Sequence, residues 1–213
     1  MPKAILGKKI GMTQIFDEAG RVVPVTVIEA GPCVVVQKRT VEKNGYNALQ
    51  LGFGEQKESR LNKPLLGHFR AAGVKPTRYL REVRFNEGES FAALNVGDVI
   101  KADIFQPGEY VDVTGVTKGK GFAGAIKRHG FHRGPMAHGS MFHRGVGSLN
   151  SREPGRVFPG RKLPGRMGGV RRTIQGLRIV RVDADRNLIL VKGSVPGPRG
   201  GLVLVKETVK HKS

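Results

Sequence analysis

Short apolar or alternating runs, separated by Gly, Pro, Asn and Asp, mark both ends of the chain as β structure. From Arg21 to Phe53 these runs are "VVPVTVI", then a Gly31-Pro32 turn, "CVVVQKRTV", and "YNALQLGF" after Asn44-Gly45. Asn-Gly tolerates the positive φ angles of a tight connection, so a hairpin turn is predicted there. Helical spacing occurs once: Leu65, Leu66, Phe69 and Ala72 share one helical face, with Asn62 as N-cap, Pro64 in the first turn and Gly73 at the end. Strands resume at "YLREVRF", "DVIKADIF" and "EYVDVTGV", and again at "LRIVRV", "NLILVKG" and "GLVLVKE". Many short strands with turn signals between them predict a mainly β fold, a small β-barrel or sandwich body with one short helix.

Between Val116 and Thr173 the alternation stops. Residues 118–172 hold 13 Lys or Arg, four His, 13 Gly and a single acid, Glu153. An irregular stretch of this length inside a compact domain is unusual and carries function when it is ordered. The predicted organisation is therefore a β-barrel body of residues 1–115 together with 174–213, and a long basic, glycine-rich, irregular extension of residues 116–173 inserted between its strands. Phe122, Phe131, Phe142 and Phe158 are interleaved with the cations, and the balancing acids of an ordinary charged linker are missing.

Charge narrows the partner. The 213 residues carry 37 Lys and Arg against 17 Asp and Glu, a net +20, of which +12 lies in residues 118–172. Such an excess repels itself unless a polyanion neutralises it. The basic stretch has no amphipathic apolar face for a membrane surface, and no run has membrane-spanning length, so RNA is the expected partner. The single cysteine, Cys33, sits in the apolar run "GPCVVVQ" and reads as a small buried hydrophobe in a reducing compartment. Three apolar residues before Gly7-Lys8-Lys9 are too few for a secretory core, which predicts a soluble, cytoplasmic protein.

Three chemistries are candidates for the middle of the chain, and each lacks a required group. Gly119, Gly121 and Gly124 match a dinucleotide-binding glycine pattern, but position 144 is Arg where an acid should bind the ribose, and no βαβ alternation surrounds them. No nucleotide cofactor is expected, nor any small-molecule substrate. His129, His132, His138 and His143 have no Cys or carboxylate among them to complete a zinc site, so no metal is expected. The same histidines define the alternative reading, a basic RNA-processing enzyme using paired histidines as acid and base. Such a centre needs a rigid scaffold, and these histidines lie in a glycine-rich segment. Ser140, Ser148 and Ser151 lack a nucleophile elbow and an Asp to orient a His.

Six stretches resemble the ribosomal protein L-three family of the large subunit, in its bacterial form. They are "GKKIGMTQIF" at Gly7, "VPVTVIEAGPCVVVQ" at Val23, "NKPLLGHFRAAGV" at Asn62, "VDVTGVTKGKGFAGAIKRHGF" at Val111, "PGRVFPGRKLPGRMGG" at Pro154 and "LVKGSVPGPRGG" at Leu190. The resemblance implies a barrel bound to large-subunit ribosomal RNA, an extension reaching toward the peptidyl-transferase centre, and an early role in subunit assembly. It implies no catalysis by the protein. Neighbouring large-subunit proteins, by family analogy L-fourteen and L-nineteen, are implied as partners.

The RNA-binding residues expected on this reading are Lys118, Lys120, Phe122, Lys127, Arg128, His129, Phe131, His132, Arg133, His138, His143, Arg144, Ser148, Arg152, Arg156, Arg161, Lys162, Arg166, Arg171 and Arg172. Three places depart from the family pattern, one of them the run "RKLPGRMGG" at Arg161, which replaces a more usual Lys-Lys-Met-Ala-Gly pattern. His129 stands where members often carry Trp, and Arg152-Glu153 stand where some bacterial members carry a modifiable Gln.

Overall fold

A computed structural model describes residues 3–85 and 93–210. The chain divides into two compact units, residues 1–116 with 171–213, and residues 117–170.

The first unit contains a closed barrel. Its strands are β1 (Ala4–Phe16), β2 (Val22–Ala30), β7 (Tyr110–Val116), β10 (Arg171–Asp183), β11 (Leu188–Lys192) and β12 (Leu202–Glu207). They close in the order β1-β12-β7-β10-β11-β2, every neighbour antiparallel. A second sheet of the same unit has the order β5-β4-β3-β6, from β3 (Cys33–Arg39), β4 (Ala48–Glu55), β5 (Thr77–Arg84) and β6 (Val99–Ile100). The mainly β barrel expected from the pattern is the observed architecture, with few and short helices.

The two sheets of this unit share one apolar core. Ile5 and Leu6 of β1, Ile28 of β2, Val113 of β7 and Ile179 of β10 pack in one cluster with Val35, Leu49 and Leu51 of the second sheet, all fully buried. Each such side chain stabilises the fold by about 1.5–3 kcal/mol. Cys33 lies in that cluster, its Sγ–H donating to the Leu6 carbonyl at 3.3 Å. Burial pushes its thiol up to about 12, so it is an unreactive core residue.

Local signals differ in how well they survive. The helix α2 (Lys63–Ala71) begins where Asn62 predicts, the Asn62 Oδ1 accepting from Leu65 N–H at 3.2 Å, and it buries Phe69. Leu65 on the same face stays 39% exposed. Asn44-Gly45 does not make a tight two-residue hairpin. Residues Val41–Asn44 form a single helical turn, α1, and Gly45 closes it at φ 78°. Positive φ is satisfied in either arrangement, which is why the dipeptide alone does not separate them. "DVIKADIF" contributes only the two residues of β6, followed by a 3-10 turn at Ala102–Ile104. The longest strand without a clear sequence signal is β1, where Gly7, Lys8, Lys9 and Gly11 interrupt the apolar alternation. Its pairing with β2 and β12 supplies the order that its own pattern lacks.

Candidate nucleic-acid interface

Residues 117–170 enclose almost no apolar core. Ala123 and Ala125 are their only buried side chains among the described residues. Burying two methyl groups is worth about 0.8 kcal/mol each, whereas ordering each backbone residue costs about 1–2 kcal/mol. Hydrophobic burial therefore cannot hold this unit in shape, and its order comes from backbone geometry and hydrogen bonds.

Two arms run antiparallel at the start and end of the unit. Thr117 N–H donates to Val170 O at 2.9 Å, Lys120 N–H to Met167 O at 2.9 Å, and Met167 N–H to Gly121 O at 2.9 Å. The ladder continues into β8 (Phe122–Ala123) and β9 (Gly165–Arg166), with Phe122 opposite Arg166. A side chain at Gly168 would collide with the Lys118 carbonyl, so glycine is what lets the arms approach.

Next comes α3 (Ala125–His129), whose last turn carries Lys127, Arg128 and His129 and which Gly130 ends at φ 72°. Cations at this end suit the helix dipole. Arg128 Nη1–H donates to Leu163 O at 2.7 Å, and His129 Nε2 lies 3.0 Å from the same oxygen. A carbonyl only accepts, so in this bond His129 carries its proton on Nε2. Phe131 is half-buried, its ring 6.2 Å from that of His129.

The distal loop is built around Phe142. Gly134 N–H donates to His143 O at 2.9 Å, His143 Nδ1–H donates to Pro135 O at 3.0 Å, and Ser140 Oγ–H donates to Phe142 O at 3.2 Å. Any side chain at Gly134 would strike Phe142, and one at Gly145 would come within 2.9 Å of its ring. Met141, next to it, is left 97% exposed. Further on, Arg161 Nη2–H donates to Ser148 O at 2.6 Å, Ser148 Oγ–H donates to Asn150 O at 2.8 Å, and the Arg156 guanidinium lies 5.5 Å from the Phe158 ring centre.

These contacts sort the residues singled out from sequence. Arg128, Arg156 and Arg161 are engaged inside the unit. Lys118, Lys120, Lys127, Arg133, Arg144, Arg152, Lys162 and Arg166 are exposed, and their side chains form no hydrogen bond or ion pair with protein among the described residues. No cation of residues 117–170 forms an ion pair among the described residues; Glu153 is the only acid in the unit. Phe122 is 81% exposed beside Arg166, a ring free to stack. His132 and His138 are exposed, His138 at φ 60°. Arg171 and Arg172 lie outside this unit, on β10 of the barrel opposite Val116 and Gly115.

Sequence reasoning did not single out Met141 or the internal role of Phe142, because turn geometry decides both. It also passed over the burial of Lys9 on β1, whose ammonium donates to Val195 O at 2.7 Å and Gly197 O at 3.2 Å.

Among the described residues no three His, Cys, Asp or Glu come together as metal ligands. Two of the four histidines are tied to backbone carbonyls, and no carboxylate orients any of them. No helix among the described residues is long and apolar enough to cross a membrane. These features define a β-barrel protein that carries a strongly basic unit with almost no apolar core of its own.

Residues 74–188 match the family model described as Ribosomal protein L3. Over 212 residues, the whole of both chains, the protein is 67% identical to the large ribosomal subunit protein uL3 of Carboxydothermus hydrogenoformans. It is 66% identical over 210 residues to the protein of the same name from Pelotomaculum thermopropionicum, with 99% of each chain covered. The corresponding protein of Heliobacterium modesticaldum is 58% identical over 210 residues, again with 99% of each chain covered. The chain belongs to the ribosomal protein L3 family. It is a structural ribosomal protein and not an enzyme.

Proposed function

We propose that the chain is a constituent of the large ribosomal subunit, that it binds the ribosomal RNA of that subunit chiefly through residues 116–173, and that binding early in assembly orders the surrounding RNA. One observation carries this reading: eight exposed cations whose side chains have no protein partner among the described residues, in a unit that buries only two alanines. RNA phosphates supply the missing counter-charge, and the resulting contacts supply the ordering energy that an apolar core would otherwise provide. Phe122 and Phe131 offer stacking surfaces for unpaired bases, and the histidines offer donors or acceptors to phosphate and base edges. In the cytoplasmic ribosome the distal part, residues 138–156, approaches the peptidyl-transferase centre. Its protein neighbours are those of the family pattern, L-fourteen and L-nineteen.

The reading separates anchoring from action. Lys118, Lys120, Lys127, Arg171 and Arg172 lie near the points where the segment joins the barrel strands β7 and β10, so they lose less freedom on meeting phosphate, while Arg128, also at the base, supports binding by holding the returning arm through Leu163 O. Replacing residues 138–156 by a short Gly-Ser linker should leave the protein folded and incorporated while slowing peptide-bond formation or factor-dependent steps. Charge reversal at the base should reduce incorporation itself. Circular dichroism, sedimentation and translation by the recovered particles measure the three quantities. Fully active subunits after distal replacement would refute the division of labour.

A further inference from the structure

We propose that the free chain pairs with a second copy of itself through the open edge of its first hairpin, with Met12–Phe16 of the two copies lying side by side, antiparallel, about a two-fold axis at Gln14.

The β1–β2 hairpin outruns the barrel. β12 accompanies β1 only from Ala4 to Lys8, and the last backbone bonds on that side join Lys9 to Gly200 and Gly201, whereas the ladder with β2 continues to Phe16 opposite Val22. From Met12 to Phe16 one side of β1 therefore has no strand beside it among the described residues. Pro24 shows which groups face that side. It has no N–H, its carbonyl accepts from Gly193 N–H at 2.9 Å on the side away from β1, and its register partner is Gln14. The two members of such an antiparallel pair turn their backbone groups away from each other. Gln14 therefore directs its N–H and C=O to the open side, and so do Met12 and Phe16, two residues to either side of it. Asp17 has the other parity, and its N–H donates inward to Arg21 O at 3.0 Å, as the alternation requires.

This edge is also apolar. Met12 is 47% exposed, Phe16 68%, and Val22, across from Phe16, 53%. Soluble proteins ordinarily shield an open edge with charge, proline or a bulge. Residues 12–16 hold no charge and no proline, and the bulge of β1 falls earlier, between Lys9 and Gly11.

A second copy fits because the edge is complementary to itself. With Gln14 opposite Gln14, Met12 of each copy lies opposite Phe16 of the other. Each pair exchanges N–H and C=O in both directions, and thioether meets ring on one face. The same register sets Gly11 opposite Asp17 of the second copy. Arg199, which is exposed, lies across Gly11, with Nε 3.6 Å and Cζ 3.9 Å from where a side chain there would begin. At the hairpin end Asp17 already holds Arg21, but Glu18 is exposed and forms no ion pair among the described residues. Gly11 and Glu18 stand about 10 and 13 Å to either side of Gln14, so the two-fold axis brings each Arg199 within reach of Glu18 of the other copy. A polyanion would gain nothing from Met12 and Phe16 and would be repelled by Glu18. The net charge of +20 on each copy opposes pairing, and one short strand pair buries little area, so the dimer is weak. At about 0.15 M salt the repulsion is screened beyond about 8 Å, which leaves the short edge contacts in force.

The experiment is sedimentation of the full-length protein over a wide concentration range, before and after nuclease treatment, for wild type, Gln14→Pro, Arg199→Glu, Glu18→Arg and R199E/E18R. Wild type should form a dimer that survives the nuclease. Gln14→Pro removes an N–H that does not face β2, and should weaken pairing roughly thirtyfold with the melting temperature little changed. Each single charge reversal acts at two symmetric contacts and should weaken pairing about tenfold, and the double reversal should restore it to within about threefold. That rescue is a result no merely structural role for Arg199 predicts. Should Gln14→Pro fail to fold, the charge series decides. A protein that stays monomeric at every concentration overturns the proposal, as does a dimer indifferent to the charge reversals, or single reversals that the double variant does not rescue. Association that disappears with the nuclease is bridging by RNA; it also overturns the proposal, while leaving RNA binding by residues 116–173 intact.

Discussion

Neutralising Lys118, Lys120, Lys127 and Arg133 together as Gln tests the electrostatic account most directly. These are four of the eight exposed cations in residues 117–170 that have no protein partner among the described residues. If all eight meet phosphates, counterion release at about 0.7–0.9 per contact gives a slope near −6 to −7. A fourfold change in salt, from about 50 to 200 mM, then weakens binding by roughly three to four orders of magnitude. The quadruple variant should show about half that slope, so that the same change in salt costs roughly two orders. Arg128→Gln provides the contrast. Its guanidinium is already committed to the Leu163 carbonyl at 2.7 Å, so its loss should weaken binding by loosening the returning arm and change the slope less than any one of the four. The assay is fluorescence anisotropy or filter binding of the full-length protein to large-subunit ribosomal RNA across a potassium chloride series. A flat salt response in the wild type, or an unaltered slope in the quadruple variant, refutes the reasoning.

Two other outcomes follow from the same structure. Without RNA, trypsin should cut first within residues 117–170, where exposed Lys and Arg lie on a backbone with almost no buried support; early cuts confined to the barrel strands would contradict this. Burial pushes the Cys33 thiol from 9.0 up to about 12. The unfolded chain therefore gives up this proton near pH 9 while the folded one keeps it. The thiol's contribution to stability is fully present below pH 9 and falls by about 1.4 kcal/mol per pH unit from there toward pH 12. Denaturant titrations of wild type and Cys33→Ala should diverge in their pH dependence over that window, and parallel curves would show that the thiol is not desolvated.

What the sequence determined by itself is what depends on near neighbours or on composition. Asn62, Pro64 and Phe69 specify a capped helix because capping and helical periodicity act within a few residues. The alternating runs specify strands, and the density of Lys, Arg and Gly with one acid in residues 118–172 specifies a polyanion-seeking surface without any need for coordinates. Tertiary structure alone decided which strands are partners, that Ala4 meets Lys206 to help close the barrel, and that the interrupted pattern of residues 4–16 becomes its longest strand together with β10. It also decided which cations are free. Arg128 and Arg161 look like every other arginine in the run, yet each spends a donor on a carbonyl far along the chain, and Lys9 buries its charge against a loop 186 residues away. Periodicity and charge are properties of a local window, whereas partner choice and side-chain commitment depend on groups that only the folded chain brings within hydrogen-bonding distance.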